Sequence, residues 1–134
     1  MSIALFTVTG NTSIGSQSPK VVGTKYKEPL VLDIETVTPI GLILNELIVN
    51  TIKHAFDKVT PKSKISIQFY KEAAQLVLKV IDNGKGFEGE IKSTSFGITL
   101  MKALSKKLKA TLNYKSELNK GTEATLVINK YKLL

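Results

Sequence analysis

The sequence has no cysteine, no tryptophan and a single histidine among its 134 residues. Without cysteine there is no disulfide, no thiolate zinc site and no cysteine nucleophile, and this absence fits a reducing compartment. Long apolar runs are also missing, because Asn45 and Glu46 interrupt the stretch from Pro39 to Val49. The first residues, MSIALFTVTG, lack the basic region and apolar core of a signal peptide. We therefore expect a soluble, cytoplasmic chain.

The chain does carry an excess of positive charge, +8 at neutral pH, and 43% apolar residues. Such charge is typical of proteins that bind nucleic acid, an anionic membrane or a phosphorylated ligand. The lysines lack the interleaved aromatic residues of a single-strand platform, so we expect no direct nucleic-acid binding. The length allows one domain with a real core, and we predict a single domain over residues 1–134 in which residues 1–20 are a linker or an edge strand.

Hydrophobic periodicity predicts two helices and several strands. The first helix should begin with Thr38 as its N-cap and Pro39 at its first position, and continue to Phe56. The second should follow Gly97, with apolar residues at helical spacing up to Leu108. The predicted strands cover residues 3–9, 29–34, 65–69, 76–81, 111–114 and 122–128, with loops at 10–18 and 83–94. This order predicts an α+β two-layer sandwich, with helices on one face of a mixed, mainly antiparallel sheet.

The segment NELIVNTIKHAF carries a polar stripe along one edge of the first predicted helix. On a helical wheel, Glu46, Asn50, Lys53, His54 and Asp57 fall within an arc of about 100°. Carboxylate and amide oxygens one turn apart suit Mg²⁺. An ordinary solvated helix face explains the same pattern equally well, so this helix alone leaves both interpretations open.

Three further segments place glycines or a helix start next to polar residues. DNGKGF sets Asp82 at the end of a predicted strand, followed by Gly84 and Gly86, which let the backbone turn sharply or approach a ligand. SFGITL puts Gly97 at a helix N-terminus that can hold phosphate oxygens, with Ser95 as its cap. NKGT reads as a hairpin turn before Thr122. Each segment alone is also explained by ordinary turn and helix-start chemistry.

Taken together and in order, TPIGLILNELIVNTIKHAF, VIDNGKGF, SFGITLMKAL and NKGTEATLVI resemble the N, G1 and G2 boxes and the terminal glycine-threonine of the GHKL ATPase superfamily. Within that superfamily the segments are similar to the ATP-binding catalytic domain of sensor histidine kinases, in the subgroup with a short lid. The resemblance covers residues 30–128 and implies the Bergerat ATP-binding fold.

The resemblance implies a role for each matched residue on the first helix. Asn50 would coordinate Mg²⁺ and bridge it to the ATP phosphates. Glu46 matches the carboxylate that related ATPases use to activate water, and would here assist Mg²⁺ or the acceptor. Lys53 and His54 would contact phosphate oxygens.

The remaining matched residues would hold the adenine and the lid. Asp82 would accept a hydrogen bond from the exocyclic amine of adenine, and Thr122 would support that carboxylate. Gly84 and Gly86 would open the lid, which closes over the phosphates at the start of the second helix. That closing segment consists of Ser95, Phe96 and Gly97.

Two departures from the family pattern affect the expected activity. SFGITL has fewer glycines than the usual G2 box, so we expect modest nucleotide affinity. The family's phosphoacceptor histidine lies on a separate helical hairpin, whereas His54 lies inside the N box. We therefore expect a monomeric catalytic fragment or split domain that binds MgATP and needs a separate acceptor domain, with a response regulator downstream and a parent protein that is either soluble or membrane-attached.

Two alternatives stay open. An anti-sigma-factor serine kinase also has an N box of this form, although the TPIGLILNEL lead-in favours a histidine kinase. A module that binds nucleotide without transferring phosphate would keep the same fold, and intact Asn50, Asp82 and Gly86 show capacity for binding more directly than for turnover.

Overall fold

The computed structural model describes residues 20–23, 31–88 and 96–133. Its elements in chain order are β1 (Lys20–Gly23), α1 (Ile34–His54), β2 (Lys64–Glu72), β3 (Gln75–Asp82), α2 (Phe96–Lys107), β4 (Ala110–Glu117) and β5 (Gly121–Ile128). The strands form one sheet in the order β1-β2-β3-β5-β4, in which only the β1–β2 pair is parallel. The predicted α+β sandwich with a mainly antiparallel sheet is confirmed.

The core lies between the two helices and one face of the sheet. Alternate residues of each central strand point toward the helices, as the period of two in a half-buried strand requires. The residues that are almost completely enclosed come from both layers: Ile43, Ile65, Leu76, Leu78, Met101, Leu126 and Ile128. Helix α1 contributes an apolar stripe at helical spacing, formed by Ile40, Ile43, Leu44 and Leu47.

Helix α1 starts earlier than the sequence predicted. Asp33 is the N-cap, and its side chain accepts a hydrogen bond from the Glu35 N–H at 3.2 Å. The predicted start at Thr38 and Pro39 is therefore wrong, because Pro39 lies inside the helix and is buried there. A proline this close to the N-terminus removes one helical hydrogen bond, to the carbonyl of exposed Glu35, which water can reach.

The two hairpins and the second helix agree with their predictions, with strands a few residues longer than predicted. Ile52 of α1 is 44% exposed although it is apolar. The predicted strand at 3–9 and the loop at 10–18 lie outside the described residues, as do residues 89–95 of the predicted long loop. Among the residues that are described, neither helix is long and apolar enough to cross a membrane.

The sheet has two ends that differ in composition. At one, β3 finishes at Asp82 opposite the β4–β5 turn, and we call this the Asp82 end. At the other, the β2–β3 turn contains Ala73, and we call this the Ala73 end. Helix α1 finishes at the Asp82 end, since the Ala55 carbonyl accepts a hydrogen bond from the N–H of Lys85 in the loop after β3.

Candidate nucleotide-binding site

Asp82 is a buried carboxylate at the end of a central strand. Its side chain accepts a hydrogen bond from the Gly84 N–H at 2.9 Å, and the Thr122 N–H also donates to it. Burial raises the pKa of Asp82 above its usual range, and these two backbone hydrogen bonds partly oppose the rise. Within the described part of the chain, no ion pair reaches this carboxylate. Asp82 is thus an enclosed acceptor that no described cation neutralises.

Asp82 belongs to a row of polar residues that crosses the sheet on its helix-facing side. Thr122 lies opposite Asp82 in the β3–β5 pair, and Ser116 lies opposite Thr122 in the β4–β5 pair. The hydroxyl oxygens of Ser116 and Thr122 are 2.8 Å apart. Ser116 was missed by the sequence reasoning, although counting back across a hairpin that turns at residues 118–120 places it opposite Thr122.

The loop after β3 is clamped between two other elements. The Lys85 N–H donates to the Ala55 carbonyl at 2.7 Å, and the Lys85 carbonyl accepts from the Asn119 N–H at 2.7 Å. The Lys85 ammonium also pairs with Asp57 at 2.8 Å. The end of α1, this loop and the β4–β5 turn are therefore joined through one residue.

Three glycines make this clamp sterically possible. A Cβ on Gly84 would overlap the Ala55 carbonyl, and one on Gly86 would overlap the Glu117 carbonyl. A Cβ on Gly121 would overlap the Asp82 carbonyl, and its φ of 109° lies in the region that other residues avoid. The glycines of DNGKGF thus have a packing role that the sequence reasoning did not identify.

The predicted residues of α1 lie toward its final turns, at the Asp82 end. Glu46 and Asn50 are half-buried, whereas Lys53 and His54 are exposed. At the start of α2, Phe96 and Gly97 are its first two residues and only their backbone is described. Ser95 lies outside the described residues. The structure therefore brings Asp82, Gly84 and Thr122 into direct contact and sets Gly86 against Glu117 and Gly121. It places Asn50, Lys53 and His54 on the helix that adjoins them.

The donors available for a metal are few. In the described ranges there is no group of three His, Cys, Asp or Glu side chains that could hold an ion. Glu46 and Asn50 supply two oxygen donors one helical turn apart. Such a pair fits Mg²⁺, which keeps several waters and is usually bound through one or two protein oxygens and substrate phosphates.

Comparison with known families decides how this site is interpreted. The family model described as histidine kinase-, DNA gyrase B-, and HSP90-like ATPase matches residues 35–132. The chain belongs to this family. The matched segment contains both sides of the site, from the start of α1 to the residues after β5. The predicted GHKL membership is confirmed, and a nucleotide-binding domain is what this membership implies.

Relatives of known function point to one branch of the family. The chain is 32% identical over 101 residues to the sensor histidine kinase PdtaS of Mycobacterium tuberculosis, covering 72% of this chain and 20% of the relative. It is 28% identical over 123 residues to the sensor protein LytS of Bacillus cereus, covering 79% and 21%. The chain thus spans about a fifth of the length of the curated relatives it matches. The predicted resemblance to sensor histidine kinases is confirmed.

Solved structures share the fold. The histidine kinase domain of the Erythrobacter litoralis EL346 blue-light activated kinase matches with a TM-score of 0.67 and 24% identity, covering 86% of this chain and 52% of that one. The Acinetobacter baumannii histidine kinase AdeS matches with a TM-score of 0.62 and 24% identity, covering 84% and 54%. These similarities show a common architecture.

Proposed function

We propose that the chain is the catalytic domain that binds MgATP and donates the γ-phosphate to a histidine on a separate acceptor domain of a two-component sensor kinase. The observation that carries the proposal is the buried Asp82 carboxylate, held by backbone donors in a chain of this ATPase family. The downstream partner would be a response regulator, and residues 1–134 would form one domain.

Recognition of adenine is assigned to Asp82 and Thr122. The ionised carboxylate accepts a hydrogen bond from the exocyclic amine of adenine, whereas guanine would present a carbonyl oxygen at that position and leave two acceptors facing each other. Burial strengthens this discrimination, since an unmade hydrogen bond at an enclosed group is not replaced by water. The site would therefore prefer ATP to GTP.

The phosphates are assigned to α1 and to the start of α2. Glu46 and Asn50 would hold Mg²⁺, which supplies positive charge to the phosphate oxygens. Lys53 and His54, exposed in the last turn of α1, would donate to phosphate oxygens. The lid segment of Ser95, Phe96 and Gly97 would offer backbone N–H groups at the N-terminus of α2. Gly84 and Gly86 would shape the loop below it.

Substitution of Asp82 tests the adenine assignment. Asp82→Asn keeps the shape but replaces one acceptor oxygen with an N–H₂ donor, while two backbone N–H groups still require acceptors. We expect MgATP affinity of the 134-residue chain to fall roughly 30-fold or more, from the loss of about 2 kcal/mol. Isothermal titration calorimetry measures this loss.

Asp33→Asn is the matched control, because Asn caps a helix as well as Asp does and Asp33 lies at the opposite end of α1. It should bind MgATP like the wild type. Unchanged binding in Asp82→Asn would refute the adenine assignment, and no binding by the wild type would refute the proposed function.

A second experiment tests the metal and acceptor assignments. In Asn50→Ala, ATP binding should lose its dependence on Mg²⁺ concentration. Incubation of the isolated chain with labelled ATP should give no stoichiometric acid-labile phosphate, because His54 would contact the ATP phosphates and the phosphoacceptor histidine would lie on a separate domain. Acid-stable phosphate on a partner protein would instead indicate a serine kinase.

A further inference from the structure

We infer that Ser116 is a positioning residue that orients the Thr122 hydroxyl. The part of the nucleotide pocket formed by Asp82 and Thr122 then presents only hydrogen-bond acceptors. The inference rests on the proposed function, because it concerns the pocket that Asp82 and Thr122 would form for adenine. It adds a residue from β4, an edge strand of the described sheet, that has no place among the predicted site residues.

Ser116 is the point where three segments of the chain meet. Its hydroxyl oxygen accepts a hydrogen bond from the Phe87 N–H at 2.8 Å, in the loop after β3. The same oxygen lies 3.2 Å from the Gly121 carbonyl and 2.8 Å from the Thr122 hydroxyl. One partly buried side chain thus links the loop, the start of β5 and β4.

The chemistry of the three partners favours one arrangement of the hydroxyl protons. A serine hydroxyl has one proton to donate and two lone pairs to accept with. The Phe87 N–H can only donate and the Gly121 carbonyl can only accept, so the arrangement that satisfies all three contacts directs the Ser116 proton to Gly121. In that arrangement the second lone pair of Ser116 accepts from the Thr122 hydroxyl, in a contact of 2.8 Å where either oxygen could be the donor. In this arrangement every hydrogen-bonding capacity of Ser116 is used.

In this arrangement, Asp82 and Thr122 both act as hydrogen-bond acceptors toward the pocket. Because the Thr122 proton points to Ser116, the Thr122 oxygen offers its lone pairs beside the Asp82 carboxylate, which is also an acceptor. Asp82 and Thr122 face each other across the β3–β5 pair. This edge therefore recognises donors, such as an exocyclic amine or a water that donates to the protein.

An alternative is that Ser116 only stabilises the hairpin. The two roles predict different coupling between substitutions at Ser116 and Thr122 in their effect on ATP affinity. A stabilising residue would change ATP affinity equally whether or not Thr122 has a hydroxyl. A positioning residue acts through that hydroxyl, so its effect should disappear when the hydroxyl is removed. Thr122→Val removes the hydroxyl and keeps a β-branched shape.

The experiment is a double-mutant cycle on the 134-residue chain, with MgATP affinity measured by calorimetry and folding checked by thermal melting. Ser116→Ala should weaken affinity on the order of tenfold in the wild-type background, as expected for one buried hydrogen bond. In the Thr122→Val background, the same substitution should change affinity by less than about twofold. Ser116→Thr, which retains a hydroxyl, should restore most of the affinity.

Thr111→Ala is the matched control, because Thr111 is an exposed hydroxyl residue on the same strand and faces away from the helices. It should leave affinity unchanged. Equal losses in both Thr122 backgrounds, or wild-type affinity in Ser116→Ala, would overturn the inference while ATP binding by the wild type upheld the proposed function. Failure of the wild type to bind ATP would refute the proposed function itself.

Discussion

The two ends of the sheet differ in their need for glycine. At the Ala73 end, backbone with positive φ is occupied by Ala73 and Lys109, with φ of 53° and 45°. At the Asp82 end, Asn119 has a φ of 64°, Gly86 and Gly121 also occupy positive φ, and a third glycine, Gly84, lies against the Ala55 carbonyl.

The difference shows what glycine is needed for in this fold. A turn with positive φ accepts alanine or lysine at a cost of about 1–2 kcal/mol. Close approach of one backbone to another accepts no side chain at all. The Asp82 end is built from such approaches, and they hold the candidate site in one arrangement.

The largest expected effect is at Gly121. In Gly121→Ala, the new Cβ would overlap the Asp82 carbonyl, and the alanine backbone would have to adopt a φ of 109°. We expect a loss of about 3 kcal/mol or more in the free energy of unfolding, measured by urea denaturation.

Ala73→Gly is its counterpart at the other end and should change the free energy of unfolding by less than about 1 kcal/mol, because relief of strain and added chain entropy oppose each other. Similar losses in the two variants would mean that the ends do not differ in the way described.

The next effect concerns the buried charge of Asp82 and its dependence on pH. Since burial raises the pKa of Asp82 in the folded chain, the folded state holds this proton more tightly than the unfolded state does. The stability that Asp82 contributes is therefore largest in acid and is lost as the pH rises through its folded-state pKa. The difference in free energy of unfolding between the wild type and Asp82→Asn should fall from acidic to neutral pH.

Thr111→Ala removes no ionisable group. Its difference from the wild type in free energy of unfolding should therefore not change over the same pH range. Urea denaturation at several pH values gives both curves. A difference for Asp82→Asn that rises toward neutral pH would show that the two backbone hydrogen bonds outweigh burial.

A smaller effect is expected at the Ala73 end. Lys109 occupies the left-handed position just after α2, where its N–H bonds to the Lys106 carbonyl, and glycine is the usual residue at such a position. Lys109→Gly should stabilise the chain by about 0.5 kcal/mol. Thermal melting measures the gain, and Lys102→Gly inside α2 is the control that should destabilise it by about 1 kcal/mol.

The smallest effect is expected for the ion pair at the clamp. Asp57 and Lys85 are both exposed, with 80% and 51% of their side chains accessible. Asp57→Asn should change the free energy of unfolding by less than about 0.5 kcal/mol, because water screens such pairs and the backbone hydrogen bonds of Lys85 remain. A loss of several kcal/mol would show that charge, and not backbone contact, holds this loop.

Features that depend on residues close together in the sequence could be predicted, whereas those that depend on contacts between distant residues could not. The hairpins and the buried face of α1 are local patterns of period two and about 3.6 residues, and they were predicted. The predicted start of α1 was wrong because Pro39 suggested a later first turn, whereas the helix is capped by Asp33. The packing role of Gly84 was not predictable, since it depends on contact with Ala55, a residue of another element.

The candidate site divides in the same way. Asp82 was predicted at a strand end because a polar residue after a buried run is visible in the sequence. The proton arrangement at Ser116 was not, because it depends on Phe87, Gly121 and Thr122 meeting in three dimensions. Roles in nucleotide binding stay predictions that the proposed experiments test.

The bridge between Leu32 and Leu133 has a mechanical consequence. Backbone contacts between Asp33 and Lys132 extend it, and the Tyr131 hydroxyl donates to the Ala74 carbonyl, so the bridge lies toward the Ala73 end. The segment that matches the family, residues 35–132, therefore begins and ends at one place. A force applied to the two flanks of this segment would act on that bridge first and would not pass through the candidate site at the opposite end of the sheet.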